Sequence, residues 1–106
     1  MHPAIEAKRE SLAALCRRHG VRRLEVFGSA ARGSDFDPAR SDADFLVTFD
    51  DVSPDTDDLR RLLDLADALE HVLGRSVDVV ERRSMEASRN YIRRRAVLRE
   101  ATPIYG

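Results

Sequence analysis

Residues 42–49, DADFLVTF, constrain the fold more than any other stretch. Ala43, Phe45, Val47 and Phe49 fall at every second position, so on a β-strand running from Asp44 to Phe49 they share one face, which needs a covering layer. Asp42 and Asp44 fall on the other side, at the strand's start. Carboxylates two residues apart on a strand lie about 7 Å from each other, and they repel unless a cation sits between them. Hard oxygen ligands of this kind select Mg²⁺ or Mn²⁺. A calcium loop over residues 35–46 is excluded, because Arg40 and Leu46 stand where an EF-hand needs glycine and glutamate.

The rest of the chain supplies layers for that strand. Pro3 suits a first helical turn. Ile5, Leu12, Leu15, Cys16 and His19 recur at helical spacing until Gly20. Leu24, Val26 and Phe27 read as a short strand leading into Gly28. Ser53-Pro54 marks a loop before the clearest helix, whose apolar stripe is Leu59, Leu62, Leu63, Ala66, Leu69 and Leu73. Asp55, Asp57 and Asp58 suit the positive end of its dipole, and Gly74 ends it. Val77 to Val80 reads as a third strand. Ser84 is the expected cap of a last helix bearing Tyr91, Ile92 and Leu98, and residues 103–105 suggest a short edge strand. The order helix, strand, strand, helix, strand, helix predicts a small α/β (α+β) fold with helices packed on a short sheet. At 106 residues the chain suits a single domain, residues 1–106.

Two further features flank the acidic pair. The first strand ends in Gly28-Ser29. Glycine admits a phosphate close to the backbone, and the serine hydroxyl with nearby N–H groups can hold its oxygens. Arg32 lies about one turn further on, and Gly33 lets the chain bend away. The second feature is Asp78, an acid inside the apolar run SVDVVE, where aspartate is disfavoured. If its strand neighbours the second one, three carboxylates face one place beside a phosphate cradle, as two-metal phosphoryl or nucleotidyl transfer requires. Singly, each piece has an ordinary reading: a turn at Gly28-Ser29, exposed loop acids at Asp42 and Asp44, a surface arginine at Arg32, an edge acid at Asp78. The combination is far more specific than its parts.

Charge and composition narrow the partners. Net charge is −1, which gives no general reason to bind nucleic acid or a membrane. Its distribution is uneven: residues 35–58 hold nine aspartates and one arginine, while residues 82–99 hold seven arginines and one glutamate. The arginine run reads either as a solvated helix face or as a surface for an acidic partner or phosphate. Cys16 is the sole cysteine and falls on an apolar helix face, where an inert core thiol is expected. His2, His19 and His71 lack zinc-ligand spacing. No run of about 18 apolar residues exists, and no signal peptide opens the chain. The expected setting is soluble, reducing and cytoplasmic.

The segments VFGSAARG, SDADFLV and VDVVE resemble the minimal nucleotidyltransferase (MNT) domains of the DNA polymerase β-like superfamily, and the likeness runs over essentially the whole chain, VLREATPIYG included. It implies the polymerase β-like nucleotidyltransferase fold, a short mixed sheet with packed helices, together with Mg²⁺ (two ions) and ATP as substrate. By the same likeness Gly28 and Ser29 match the phosphate-binding pair, with Arg32 beside them for the nucleotide. Asp42 and Asp44 match the metal-binding pair, and Asp78 matches the third carboxylate, as base or further metal ligand. One departure is that twelve residues separate Ser29 from Asp42, a longer gap than the family's usual one, which the segment around Asp35 to Pro38 accounts for as a lengthened surface loop.

A nucleotidyltransferase must also position an acceptor, and a chain this short holds little beyond a catalytic core. A docked protein is therefore the expected acceptor. Stand-alone MNT proteins of this kind resemble antitoxins of HEPN ribonuclease toxins, which implies AMP transfer to a toxin tyrosine hydroxyl. Two alternatives stay open: an inert antitoxin acting by binding alone, and a nucleotidyltransferase for RNA or a small molecule. Direct nucleic-acid binding is not expected.

Overall fold

A computed structural model describes residues 1–33, 42–50 and 58–106. The chain runs α1 (Pro3–Glu6), α2 (Arg9–Arg18), β1 (Val21–Phe27), α3 (Ser29–Arg32), β2 (Ala43–Phe49), α4 (Asp58–Leu73), β3 (Val77–Glu81), α5 (Arg82–Glu86), α6 (Tyr91–Glu100) and β4 (Thr102–Tyr105). The strands form one sheet in the order β3-β2-β1-β4. β1 pairs antiparallel with both β2 and β4, whereas β2 and β3 run parallel. A parallel pair needs a long crossover, and α4 supplies it. The expected mixed α/β architecture is the one observed, and residues 103–105 do belong to an edge strand.

The alternation along β2 separates two cores. Ala43, Phe45 and Val47 meet Leu24 and Val26 of β1, and α1, α2 and α4 cover them with Ile5, Leu12, Leu15, Cys16, Leu65 and Leu69. Leu46 and Phe27 face the other way, against Met85 of α5 and Val97 of α6. Full burial of one such side chain is worth about 1.5–3 kcal/mol. The larger core therefore dominates, and the smaller one holds α5 and α6 on few contacts. Cys16 lies in the larger core, where burial pushes its thiol up to about 12, the inert state expected of it.

Three expectations are corrected. The N-terminal helix is two helices, because Lys8 leaves helical geometry (φ −101°, ψ 9°). His2 caps the first, its Nδ1 accepting from the Ala4 amide at 3.0 Å. The stripe of α4 is turned from the expected one: Leu65 and Leu69 are buried with Leu62, Ala68, Val72 and Leu73 beside them, while Leu59 and Leu63 are 65% and 60% exposed. Apolar residues wrap more than half of α4, so periodicity alone could not choose the buried side, and the sheet chooses it. Ser84 caps nothing at the last helix; it lies inside α5. Asn90 caps α6 instead, its side-chain oxygen accepting from the Arg93 amide at 3.1 Å. Ser53-Pro54, Asp55, Asp57, Arg40 and the segment around Asp35 to Pro38 lie outside the described residues. No helix among the described residues is long and apolar enough to cross a membrane.

Candidate active site

The register of the sheet decides which polar side chains meet. Phe27 at the end of β1 stands opposite Asp44 at the start of β2, and Asp44 stands beside Asp78 on β3. Laterally paired residues share a face. The acids Asp44 and Asp78 therefore project from one side, on adjacent strands, and Asp42 lies two residues before Asp44 at the same edge. Asp42 and Asp78 are exposed and Asp44 is half-buried. Asp44 is held above the ordinary carboxylate range, first by burial, then by the negative charges of Asp78 and Asp42. Arg93 and Arg32 lie near enough to oppose that rise.

Gly28 explains how the backbone and Asp44 share so small a space. It adopts φ 68° and ψ −148°, a region open almost only to glycine. A Cβ placed there would lie 2.8 Å from Asp44 Oδ2. Glycine is thus required both for its conformation and for the carboxylate packed against it. Ser29 opens α3 directly after this turn. The amides of Ala31 and Arg32 donate to the Gly28 carbonyl, both at 3.1 Å, and the Gly33 amide donates to the Ser29 carbonyl at 2.8 Å. The N-terminal segment braces this corner: the His2 amide donates to the Ala30 carbonyl at 2.8 Å.

These residues suit a hard cation in kind and placement. A half-buried carboxylate that two neighbouring acids disfavour is relieved by positive charge. The side chains are not gathered into a finished ligand set, however. Among the described residues no three His, Cys, Asp or Glu groups are close enough to hold an ion as they stand. The backbone brings the three acids to one end of the sheet without gathering their carboxylates.

Arg32, expected beside the nucleotide, directs its guanidinium to Glu100 of α6, with Nη1 2.8 and 2.9 Å from the two carboxylate oxygens. Two charged residues were not legible as part of this region. Arg93 bears on Asp44 from α6; its signal is the i, i+4 spacing to Val97, which marks the inward side of that helix. Glu25 is 2% exposed on the face shared with Phe27 and Leu46, and Arg82 Nη1 donates to it at 2.7 and 2.8 Å, with Arg23 3.6 Å away. Periodicity signals Glu25 only as an acid at a core position.

The family model of the nucleotidyltransferase domain matches residues 8–100. The chain belongs to this nucleotidyltransferase family. A solved structure described as a minimal nucleotidyltransferase shares 39% identity, with 97% of this chain and 96% of that one covered and a TM-score of 0.71. More distant likenesses share the fold. One is a toxin–antitoxin crystal structure with AMP-PNP, at 22% identity, 92% and 73% coverage and TM-score 0.65. Another is a tri-AMPylated Shewanella oneidensis HEPN toxin in complex with MNT antitoxin, at 20% identity, 94% and 71% coverage and TM-score 0.60. No curated protein matches the chain significantly. In this nucleotidyltransferase the strand order lays the Gly28-Ser29 turn and the three acids along one edge of the sheet, as the sequence spacing suggested.

Proposed function

We propose that this nucleotidyltransferase is an adenylyltransferase antitoxin, which moves AMP from ATP to a tyrosine hydroxyl of a cognate HEPN-family ribonuclease and thereby silences it. The observation that carries the reading is Asp44, half-buried against Gly28 and in register with Asp78. The toxin–antitoxin complexes among its structural neighbours, one with AMP-PNP and one with an AMPylated HEPN toxin, support the choice of nucleotide and acceptor.

Asp42 and Asp44 would hold Mg²⁺, with Asp78 as a third carboxylate. When bound, Mg²⁺ supplies neutralisation of the triphosphate and activation of the attacking oxygen. The Gly28 turn, with Asp44 against its Cα, would present the Ser29 hydroxyl and amide to the phosphate oxygens. Arg32 closes α3, one turn after Ser29, and would reach the nucleotide from its ion pair with Glu100. A phenol, with a pKa near 10, is a poor nucleophile until it loses its proton. Asp78, exposed beside Asp44, takes that proton as the tyrosine oxygen bonds to the α-phosphorus, and pyrophosphate leaves with the bond it gives up. A protein that draws on ATP in this way would work in the cytoplasm.

The test is incubation of the chain with a HEPN-family protein of the same organism, ATP and Mg²⁺, followed by peptide mass mapping. AMP on a toxin tyrosine, with ribonuclease activity falling in step, supports the reading. A second reading, neutralisation by binding alone, draws on the engagement of Arg32 by Glu100 and on the ungathered acids. Stoichiometric inhibition without adduct, unchanged in an Asp42→Asn/Asp44→Asn double variant, would establish that reading.

A further inference from the structure

The last helix is more exposed than a helix of its length should be. α6 has ten residues, and Val97 alone among them is buried. Helices shorter than about 12 residues are marginal in water and depend on packing for stability. Yet Tyr91 is 70% and Ile92 86% exposed. With 100° per residue, Arg93, Val97 and Glu100 form the inward side, consistent with Val97 in the smaller core and Glu100 on Arg32. Tyr91, Ile92, Arg95 and Arg99 form the outward side, along a shallow groove of about 560 Å³ that Leu98, partly packed on the smaller core, also lines. Arg94 stacks on the Tyr91 ring at 4.8 Å and donates to the Ser88 carbonyl at 3.2 Å, which stiffens the groove's N-terminal end. The guanidinium groups of Arg95 and Arg99 make no hydrogen bond or ion pair among the described residues.

We infer that the outward side of α6 is the docking surface for the acceptor protein, and that it takes an acidic, partly apolar segment of that partner. The inference rests on the adenylyltransferase reading for the partner's identity, and goes beyond it by naming where the partner sits. Charge complementarity selects the occupant. Large apolar groups flanked by arginines match apolar anchors flanked by acids, and arginine with tyrosine is the composition of strong interface anchors. A nucleic acid fits less well, because its interfaces are more polar than a surface centred on the exposed Ile92 and Tyr91. Arg93, on the inward side of the same helix, bears on Asp44. A partner seated on the outward side is therefore held across α6 from the acids, about one helix diameter of 10–12 Å, and its reacting segment would reach them round the helix.

The experiment compares the full chain with two variants, Ile92→Asp and Arg95→Glu/Arg99→Glu, in calorimetric titration against a HEPN-family protein of the same organism. Thermal melts first establish that the variants fold. Binding is expected to weaken by about 100-fold or more in Ile92→Asp, the scale of losing a central anchor. In the double charge reversal it is expected to weaken most at low salt. Wild-type affinity in both folded variants overturns the proposal whether or not AMP is transferred, and so does a wild-type chain that does not bind the partner. Tight binding without any AMP adduct, lost in the variants, sustains this surface and defeats the transfer reading alone. Two controls name other occupants. A self-associated chain that Ile92→Asp dissociates in light scattering makes the occupant a second copy. Binding of a short single-stranded RNA that the charge reversal abolishes makes it nucleic acid. Either result overturns the proposal.

Discussion

Replacing Gly28 by alanine loads two separable penalties onto one methyl group. The first is conformational: φ 68° with ψ −148° is nearly closed to residues with a Cβ, at about 1–3 kcal/mol. The second is steric, because the new carbon would lie 2.8 Å from Asp44 Oδ2. That oxygen ends a short side chain on a strand, so relief requires the carboxylate to swing out of the site. Gly74 provides the control. It also has positive φ, 67°, but nothing lies within 4 Å of a Cβ built there. Gly74→Ala should therefore show left-handed strain alone, about 1–2 kcal/mol, with full transferase activity. Gly28→Ala should lower Tm by roughly 5–20 °C, from about 4–8 °C per kcal/mol for a domain this size. It should also cut AMP transfer by about 100-fold or more, the cost of a misplaced catalytic group. Differential scanning calorimetry and a radiolabelled-ATP transfer assay on both variants decide it. A Gly28→Ala protein no less stable than Gly74→Ala, with wild-type activity, would refute both the close approach and the role given to Asp44.

Other perturbations follow from the same geometry. Asp44 titrates above its ordinary value of 3.8, so the folded state binds its proton more tightly than the unfolded chain, and stability is lost as pH rises through that window. Asp44→Asn should thus raise the Tm of the metal-free protein at pH 7, with the gain vanishing as pH falls toward 3.8; melts across pH that show no such convergence would count against the acidic cluster. Arg82→Ala strands Glu25 at 2% exposure. It should cost about 3 kcal/mol in urea unfolding, the low end for a broken buried pair because Arg23 remains nearby, and Glu25→Leu/Arg82→Met should recover most of the loss. Leu65→Ala should cost about 2–5 kcal/mol and Leu63→Ala less than about 0.5, and equal effects would show that α4 presents a different side.

The alternation in residues 42–49 and the spacing of GS, DxD and Asp78 were enough to read a short sheet with polar groups at one end. Period-2 side-chain direction is a local property of the backbone, so Asp42 and Asp44 could be assigned to one side before any partner strand was known. The break at Lys8, the buried side of α4 and the cap at Asn90 were not legible. Each is a choice among locally similar options: Leu63 and Leu65 have the same propensity, and Ser84 and Asn90 both cap helices. Only packing against the sheet separates them. Tertiary structure alone also decided that β3 lies beside β2 in parallel, which sets Asp78 next to Asp44, and that Glu25 meets Arg82 across 57 residues of chain. Neither pairing has a local signal, because the free energy that fixes it comes from surfaces that exist only after the strands have assembled.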